Sequence, residues 1–417
     1  MEKYIIEGGH RLSGEISVPG AKNQVGKMLA ASILSSEPCE LTNVPAIEDV
    51  THMLELLEDI GAKIERSEGR LIIDPSGVNK SEPSAELVKR LRSSVMLAGP
   101  LLARFGKVTM AHPGGCVIGK RPIDMFLAGF KALGAKIEEN ENHYTLHAKK
   151  LIGAKIVMPW IAVTATESLM MTATLAEGVT QIINAAMEPE IPALADYLNS
   201  CGAKITGAGT PVITIEGVKK ISGGKCQLIP DRIEAGTFVI MGLLTGSEIT
   251  ITNCEPKHLD VVLATLEKAG AKLDVGENYI KTKRSKVKAV ELRTHEYPGF
   301  PTDLQAPFTV LMTQGEGLSL IHEVIYEGRL FYTDKLNAMG ANIIMCDPHR
   351  VIVSGPTTLH GKKLESPDLR AGMALVLAGL AAQGKTTIDN IYQVERGYQD
   401  PIGRLRALGA KIEKIKE

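Results

Sequence analysis

The chain has 417 residues, 44% hydrophobic and 23% charged, enough for two globular domains and too long for one small core. Its 47 Lys and Arg against 48 Asp and Glu leave no global positive field to collect nucleic acid, so any anion site must be local. There is no signal-peptide core, no run of about 18 apolar residues, and no paired short spacing among the six cysteines; the expectation is a soluble, cytoplasmic protein with reduced thiols, no membrane association and no metal.

Along the chain, VPGAKNQVGKMLAASIL places Lys22 and Asn23 after a Pro-Gly turn and just before an apolar helix. A helix N-terminus attracts phosphate and Lys adds a point charge, although a surface Lys at a turn is the plainer alternative. Arg92, in KRLRSSVMLAGP, precedes a second apolar helix in the same way. The stretch HPGGCVIGKRPID, residues 112–124, is broken by Pro113, Gly114, Gly115 and Gly119 and predicts an exposed loop. Cys116 lies in it with Lys120 and Arg121 nearby; cationic neighbours stabilise a thiolate, so Cys116 is a candidate acid or nucleophile. His112 precedes it by four residues, but no second ligand pair accompanies them and no zinc site is expected. Cys39, Cys201, Cys226, Cys254 and Cys346 read as small buried hydrophobes. In the second half, FPTDLQAPF sets Asp303 between a Pro turn and an apolar run, as a helix cap or a base. YEGRLFY, SPDLRAG and VERGYQD hold Arg329, Asp368, Arg370 and Arg396 at element starts, as anion ligands or in surface ion pairs.

One phrase returns six times: IGAKIE, LGAKIE, CGAKIT, AGAKLD, MGANII and LGAKIE, with glycines at 61, 134, 202, 270, 340 and 409. Their separations of 73, 68, 68, 70 and 69 residues are too regular for unrelated helix caps and too long for common solenoids. Each phrase follows a helical pattern; in HLDVVLATLEKAGAKL, for example, Leu259, Val262, Leu263 and Leu266 share a face and Gly270 can end the helix. A second set of phrases, LARFGKVTM, LAEGVTQIINA, LLTGSEITITN, QGEGLSLIHEV and LAAQGKTTIDN, joins an apolar helix end to a Gly and an alternating strand. Six α/β units falling three and three predict two domains that wrap sheets around buried helices.

With these motifs on the page, the sequence resembles the enolpyruvyl transferase family, and within it the members that act on UDP-N-acetylglucosamine. The likeness spans essentially the whole chain and rests on PGAKN, RSSVMLAGPLLARFG, PGGCVIGKRPID, LAEG, PDRIEAGTF, FPTD, YEGR, DLRAG and ERGY. It implies an inside-out α/β barrel in each of two domains, built from six βαβαββ units, three per domain, with the active site in the interdomain cleft. The implied domains are 22–229, bearing the Cys116 loop, and 1–21 plus 230–417.

The resemblance implies transfer of the carboxyvinyl group of phosphoenolpyruvate to the sugar 3-hydroxyl with release of phosphate, the first committed step of peptidoglycan synthesis, without a cofactor. Lys22, Arg121 and Arg396 would grip phosphoenolpyruvate, with Asn23 beside it and Arg329 and Arg370 supporting the anionic pocket. Arg92, Arg121, Pro122, Ile123, Asp124 and Met125, with Asp303 and Ile325, would hold the nucleotide sugar. Asp303 matches the aspartate beside the attacking hydroxyl, Cys116 the proton donor to the methylene carbon, and Asp368 a partner in the same proton traffic. The chain departs from the commonest pattern at Trp160 and Thr164, where many members have Lys and Gly, and at Gly328, usually Asn. A shikimate-pathway enolpyruvyl transferase would lack the cysteine loop, and a noncatalytic sugar-nucleotide sensor would not need Lys22, Cys116, Asp303 and Arg396.

Overall fold

Six helices end in the repeated glycine: Glu48–Asp59, Asp124–Ala132, Glu190–Ser200, Asp260–Lys268, Thr333–Ala338 and Pro401–Ala407. The glycines take φ between 90° and 107°, a backbone region in which a Cβ is strained. In every copy the amide of the residue after the glycine reaches back over the helix end. Ala62 donates to Leu57, Ala135 to Phe130, Ala203 to Leu198, Ala271 to Leu266, Ala341 to Leu336 and Ala410 to Leu405, at 2.9–3.0 Å. This is the hydrogen bond of a Schellman ending, and the acceptor residue is in each case fully buried. Burying one such Leu or Phe contributes about 1.5–3 kcal/mol, so each phrase fixes a helix end and a piece of core together.

The computed structural model describes residues 2–114 and 123–416. Among these, six sheets form, five of four strands and one of three. A representative sheet takes Lys155–Val157, crosses over through helix Val163–Ala173 to the parallel strand Val179–Ile183, and passes through Glu190–Ser200 to the antiparallel pair Lys204–Thr206 and Val212–Glu216. The order in space puts Val212–Glu216 beside Val179–Ile183. Leu292–Arg293, Gly317–His322, Asn342–Asp347 and Arg350–Gly355 repeat this arrangement. A parallel pair needs such a crossover, and the helices supply it.

Chain contacts divide the described residues into two units, one of 2–19 and 230–416, the other of 20–114 and 123–229. Glu2–Glu7 pairs between Lys385–Asp389 and Lys411–Lys416, and Ser13–Ser17 lies parallel to Glu248–Thr252, so the first two strands complete sheets of the C-terminal half. Lys225–Gln227 returns parallel to Cys39–Thr42 and completes a sheet of the other unit. The strands alternate as a half-buried sheet must: in Glu248–Thr252, Ile249 and Ile251 face the core and Glu248 faces out.

The apolar helices lie inside their units. Every residue of Arg232–Leu244 and of Gln305–Met312 is buried, as is all of Leu369–Ala381 but its two ends. Helices this apolar all round belong in a core, as the sequence led us to expect. Small residues let their neighbours approach: a Cβ added to Gly236 would stand 2.5 Å from Leu304 Cδ1, next to Asp303. Three cysteines, Cys39, Cys201 and Cys254, are buried as expected. Cys226 is only half-buried and Cys346 is exposed, a correction to the sequence reading. Both sit on edge strands, which are paired on one side only, and Cys346 lies at a break in register between Met345 and Asp347. Among the described residues no helix is long and apolar enough to cross a membrane.

Candidate functional site

The repeat places polar residues at the entries of the buried helices. Lys22 opens Lys22–Ser32, and Arg92 opens the 3-10 turn Arg92–Leu97 that runs into Ala98–Phe105. Asp303 lies in the turn Thr302–Leu304 ahead of Gln305–Met312, and Asp368 caps Leu369–Ala381 by accepting from the Arg370 and Ala371 amides. Arg396 differs from the expectation of an element start, because it follows the short helix Tyr392–Glu395. Asp124 opens Asp124–Ala132 and is exposed, with Met125 half-buried and Ile123 buried. Cys116, Arg121 and Pro122, together with Lys120, lie outside the described residues.

Asp303 is held by two arginines rather than by the start of the helix that follows it. Among the described residues no side-chain cap bond is made at the start of Thr302–Leu304 or of Gln305–Met312. Arg329 Nη1 donates to Oδ1 at 2.9 Å, and Arg370 approaches Oδ2 with Nε at 3.1 Å and Nη2 at 3.0 Å. Burial raises the pKa of Asp303, but the Arg370 and Arg329 charges outweigh it and hold the carboxyl well below the usual range. About a quarter of the Asp303 side chain remains open to solvent, whereas Arg329 and Arg370 are 6% and 4% exposed. These are therefore not surface ion pairs. A buried guanidinium needs its hydrogen bonds met, yet Arg329 Nε and Arg370 Nη2 have no aligned acceptor.

Further contacts fix the two arginines. Arg370 Nη1 donates to Tyr398 Oη at 3.3 Å, and that phenol meets Thr237 Oγ1 of the buried helix at 3.3 Å. Arg329 Nη1 also donates to Thr302 Oγ1 at 2.8 Å and its guanidinium packs over the Tyr326 ring. The Thr302 hydroxyl donates to Glu323 at 2.7 Å, and Glu323 accepts from the amide of Ile325 at 2.8 Å. Asp303, Arg329 and Arg370 thus come together, with Asp368 close enough to act on Arg329 electrostatically. Arg396 is half-buried and donates to Gln393.

In the other unit, Lys22 Nζ is 2.8 Å from Asp49 Oδ2, a partner the sequence reading did not name. Lys27, one turn along, donates to the carbonyl of Asn23 and lies 3.4 Å from Glu167 Oε2. Burial pushes the Glu167 carboxyl up to about 8 against the pull of Lys27. Trp160 stands 55% exposed just ahead of helix Val163–Ala173. Thr302, Glu323, Tyr398, Lys27 and Glu167 were all missed from sequence. A buried polar residue inside an apolar helix, as Lys27 and Glu167 are, was the one available signal.

The fold and the Asp303 cluster define an α/β protein with two buried guanidiniums held on a partly open carboxylate. The family described as EPSP synthase (3-phosphoshikimate 1-carboxyvinyltransferase) matches residues 6–405, and the chain belongs to this family of enolpyruvyl transferases. It is 44% identical over 417 residues to the UDP-N-acetylglucosamine 1-carboxyvinyltransferase of Desulforapulum autotrophicum, covering all of both chains. It is also 44% identical over 419 residues to the protein of that name from Yersinia pestis, again over the whole of each. Among solved structures, the enolpyruvyl transferase NikO from Streptomyces tendae superposes with a TM-score of 0.90 at 26% identity, covering 100% of this chain and 99% of the other. An EPSP synthase from Acinetobacter baumannii shares the fold, with a TM-score of 0.76 at 19% identity over the full length of both.

Proposed function

We propose that this chain transfers the carboxyvinyl group of phosphoenolpyruvate to the 3-hydroxyl of UDP-N-acetylglucosamine and releases phosphate, opening peptidoglycan synthesis in the cytoplasm. The acceptor follows from the name carried by relatives that match the entire chain. The observation that supports the chemistry is the pair of buried guanidiniums clamped on a partly open Asp303.

Phosphoenolpyruvate is an enol ester of phosphate. Protonation of its methylene carbon leaves an oxocarbenium-like centre, the sugar hydroxyl attacks there, and loss of phosphate and a proton restores the double bond. In this reading Cys116 supplies the proton to the methylene carbon and Asp303 accepts the hydroxyl proton, with Asp368 in the same proton traffic. Lys22, Asn23, Arg121, Arg329, Arg370 and Arg396 bind phosphoenolpyruvate; Arg92, Pro122, Ile123, Asp124, Met125 and Ile325, with Arg121 and Asp303, bind the nucleotide sugar. Two guanidiniums keep Asp303 ionised but make it a poor base. An anion that draws Arg329 or Arg370 toward itself relieves that field, so substrate binding would raise the basicity of Asp303 when it is needed. The sheets would then be read as six βαβαββ units, three per domain, each domain an inside-out barrel.

The test is phosphate release from phosphoenolpyruvate. Release that requires UDP-N-acetylglucosamine and is not supported by shikimate 3-phosphate is expected; the reverse preference would move the chain to the shikimate reaction. No release with either would leave the fold without this activity.

A further inference from the structure

In four of the repeats the strand after a buried helix ends in an asparagine with φ of 50–63°: Asn43, Asn184, Asn253 and Asn390. Each donates its side-chain amide to the carbonyl just beyond the neighbouring parallel strand, at Leu228, Met158, Val18 and Ser366. After the strand Gly317–His322 the same place holds Glu323, and the residue beyond the parallel partner strand is Thr294. The polarity is inverted there. Glu323 is fully buried and accepts throughout: Oε1 from Thr294 Oγ1 at 3.1 Å and from the Ile325 and Tyr326 amides at 2.8 and 3.2 Å, and Oε2 from Thr302 Oγ1 at 2.7 Å. Its own backbone is pinned on both sides by His349.

We propose that Glu323 is a positioning residue for the reacting pair, setting the direction of the Thr302 hydroxyl and through it the seat of Arg329 on Asp303. The inference rests on the reading of Asp303 and Ile325 given above. A threonine hydroxyl has one proton, and Glu323 takes it. The oxygen must then present lone pairs to Arg329 Nη1, which it does at 2.8 Å while the same nitrogen holds Asp303 Oδ1 at 2.9 Å. The second oxygen of Glu323 fixes the peptide of Ile325. One buried carboxylate therefore orients the base and a neighbouring backbone contact, where a repeat asparagine would only tie down a turn.

Glu323→Gln keeps the shape but must aim an N–H either at Thr302, turning its proton onto Arg329, or at the two backbone amides. Steady-state phosphate release by Glu323→Gln, Thr302→Val, Thr302→Ser and Glu323→Gln/Thr302→Val, with the thermal transition of each, tests the proposal. Expected are a fall in kcat of about tenfold or more for Glu323→Gln and for Thr302→Val, a KM for phosphoenolpyruvate within about threefold of wild type, and near-normal turnover for Thr302→Ser. The double variant should be no slower than about threefold below the worse single one, because both break one relay. Losses that multiply in the double variant, a Thr302→Val enzyme as active as Thr302→Ser, or a Glu323→Gln kcat within about twofold of wild type would each overturn it. If Glu323→Gln does not fold, the contrast between Thr302→Val and Thr302→Ser at an intact Glu323 decides. Wild-type turnover in the same assay judges the proposed reaction itself, so the two failures are separable.

Discussion

Replacing Asp303 by Asn leaves two buried guanidiniums, 6% and 4% exposed, facing a neutral amide. Removing one partner of a buried ion pair costs about 3–5 kcal/mol, mostly through the charge left uncompensated. A quarter of the Asp303 side chain is open, and the amide oxygen still accepts from one arginine, so we take a value below that range, about 2–3 kcal/mol. For a cooperative unit of roughly 200 residues each kcal/mol moves the midpoint by about 2–4 °C, which puts the expected loss at about 4–12 °C. Thermal unfolding followed by calorimetry at several pH values measures it. The Asp303 pKa is held down in the folded protein, so its stabilisation is present above the ordinary carboxyl value near 3.9 and is lost as pH falls toward the folded one. The gap between wild type and Asp303→Asn should be full from pH 7 to about 5 and shrink below about pH 4. A midpoint within about 1 °C of wild type at pH 7, or a gap unchanged at pH 3, would refute the claim that Asp303 neutralises the buried arginines. Turnover of the variant must be read beside its melting curve.

Glu167 titrates in the opposite sense: its folded pKa of about 8 lies above the unfolded one, so stability is present below pH 4.5 and lost as pH rises to about 8. Glu167→Gln should therefore gain in melting temperature relative to wild type between pH 6 and pH 9; a difference that stays constant would contradict the burial of an acid there. Among the repeat glycines, a Cβ at Gly61 would collide with the Gly77 carbonyl, whereas at Gly202 it would meet open space. Gly61→Ala should thus destabilise clearly more than Gly202→Ala, whose cost is about 1 kcal/mol for its φ alone; equal costs would show the backbone shifting freely. An epoxide phosphonate should alkylate Cys116 and no other thiol, with labelling lost in Cys116→Ala; an adduct mapped to Cys226 or Cys346 would remove Cys116 from its proposed role.

The repeat was legible because a Schellman ending is local: a glycine, the alanine after it and the buried Leu or Phe four residues before the glycine are all written in one short phrase. That helices would be buried was legible from mostly apolar segments such as LLAR and TLAEGVT. The recurring Asn43, Asn184, Asn253 and Asn390 were visible in the sequence too, but only the paired strands explain what they do. Asp303 could be named as a cap or a base, and not assigned, because Arg329 and Arg370 come to it from 26 and 67 residues away. Glu323 was invisible for a stronger reason. In LIHEVIYEG it reads as a solvated residue at a strand end, and only tertiary packing against Thr294 and Thr302 buries it. Cys346 is exposed beside a break in strand register, which the sequence pattern does not determine.

The central claim is tested most directly by identifying the product that the full chain makes from phosphoenolpyruvate and UDP-N-acetylglucosamine, using mass spectrometry of the nucleotide sugar. The account predicts a sugar carrying one carboxyvinyl ether in place of a hydroxyl hydrogen, formed in equal amount with phosphate. Phosphate released while the nucleotide sugar stays unmodified, or a carboxyvinyl group appearing only on a different acceptor, would contradict it.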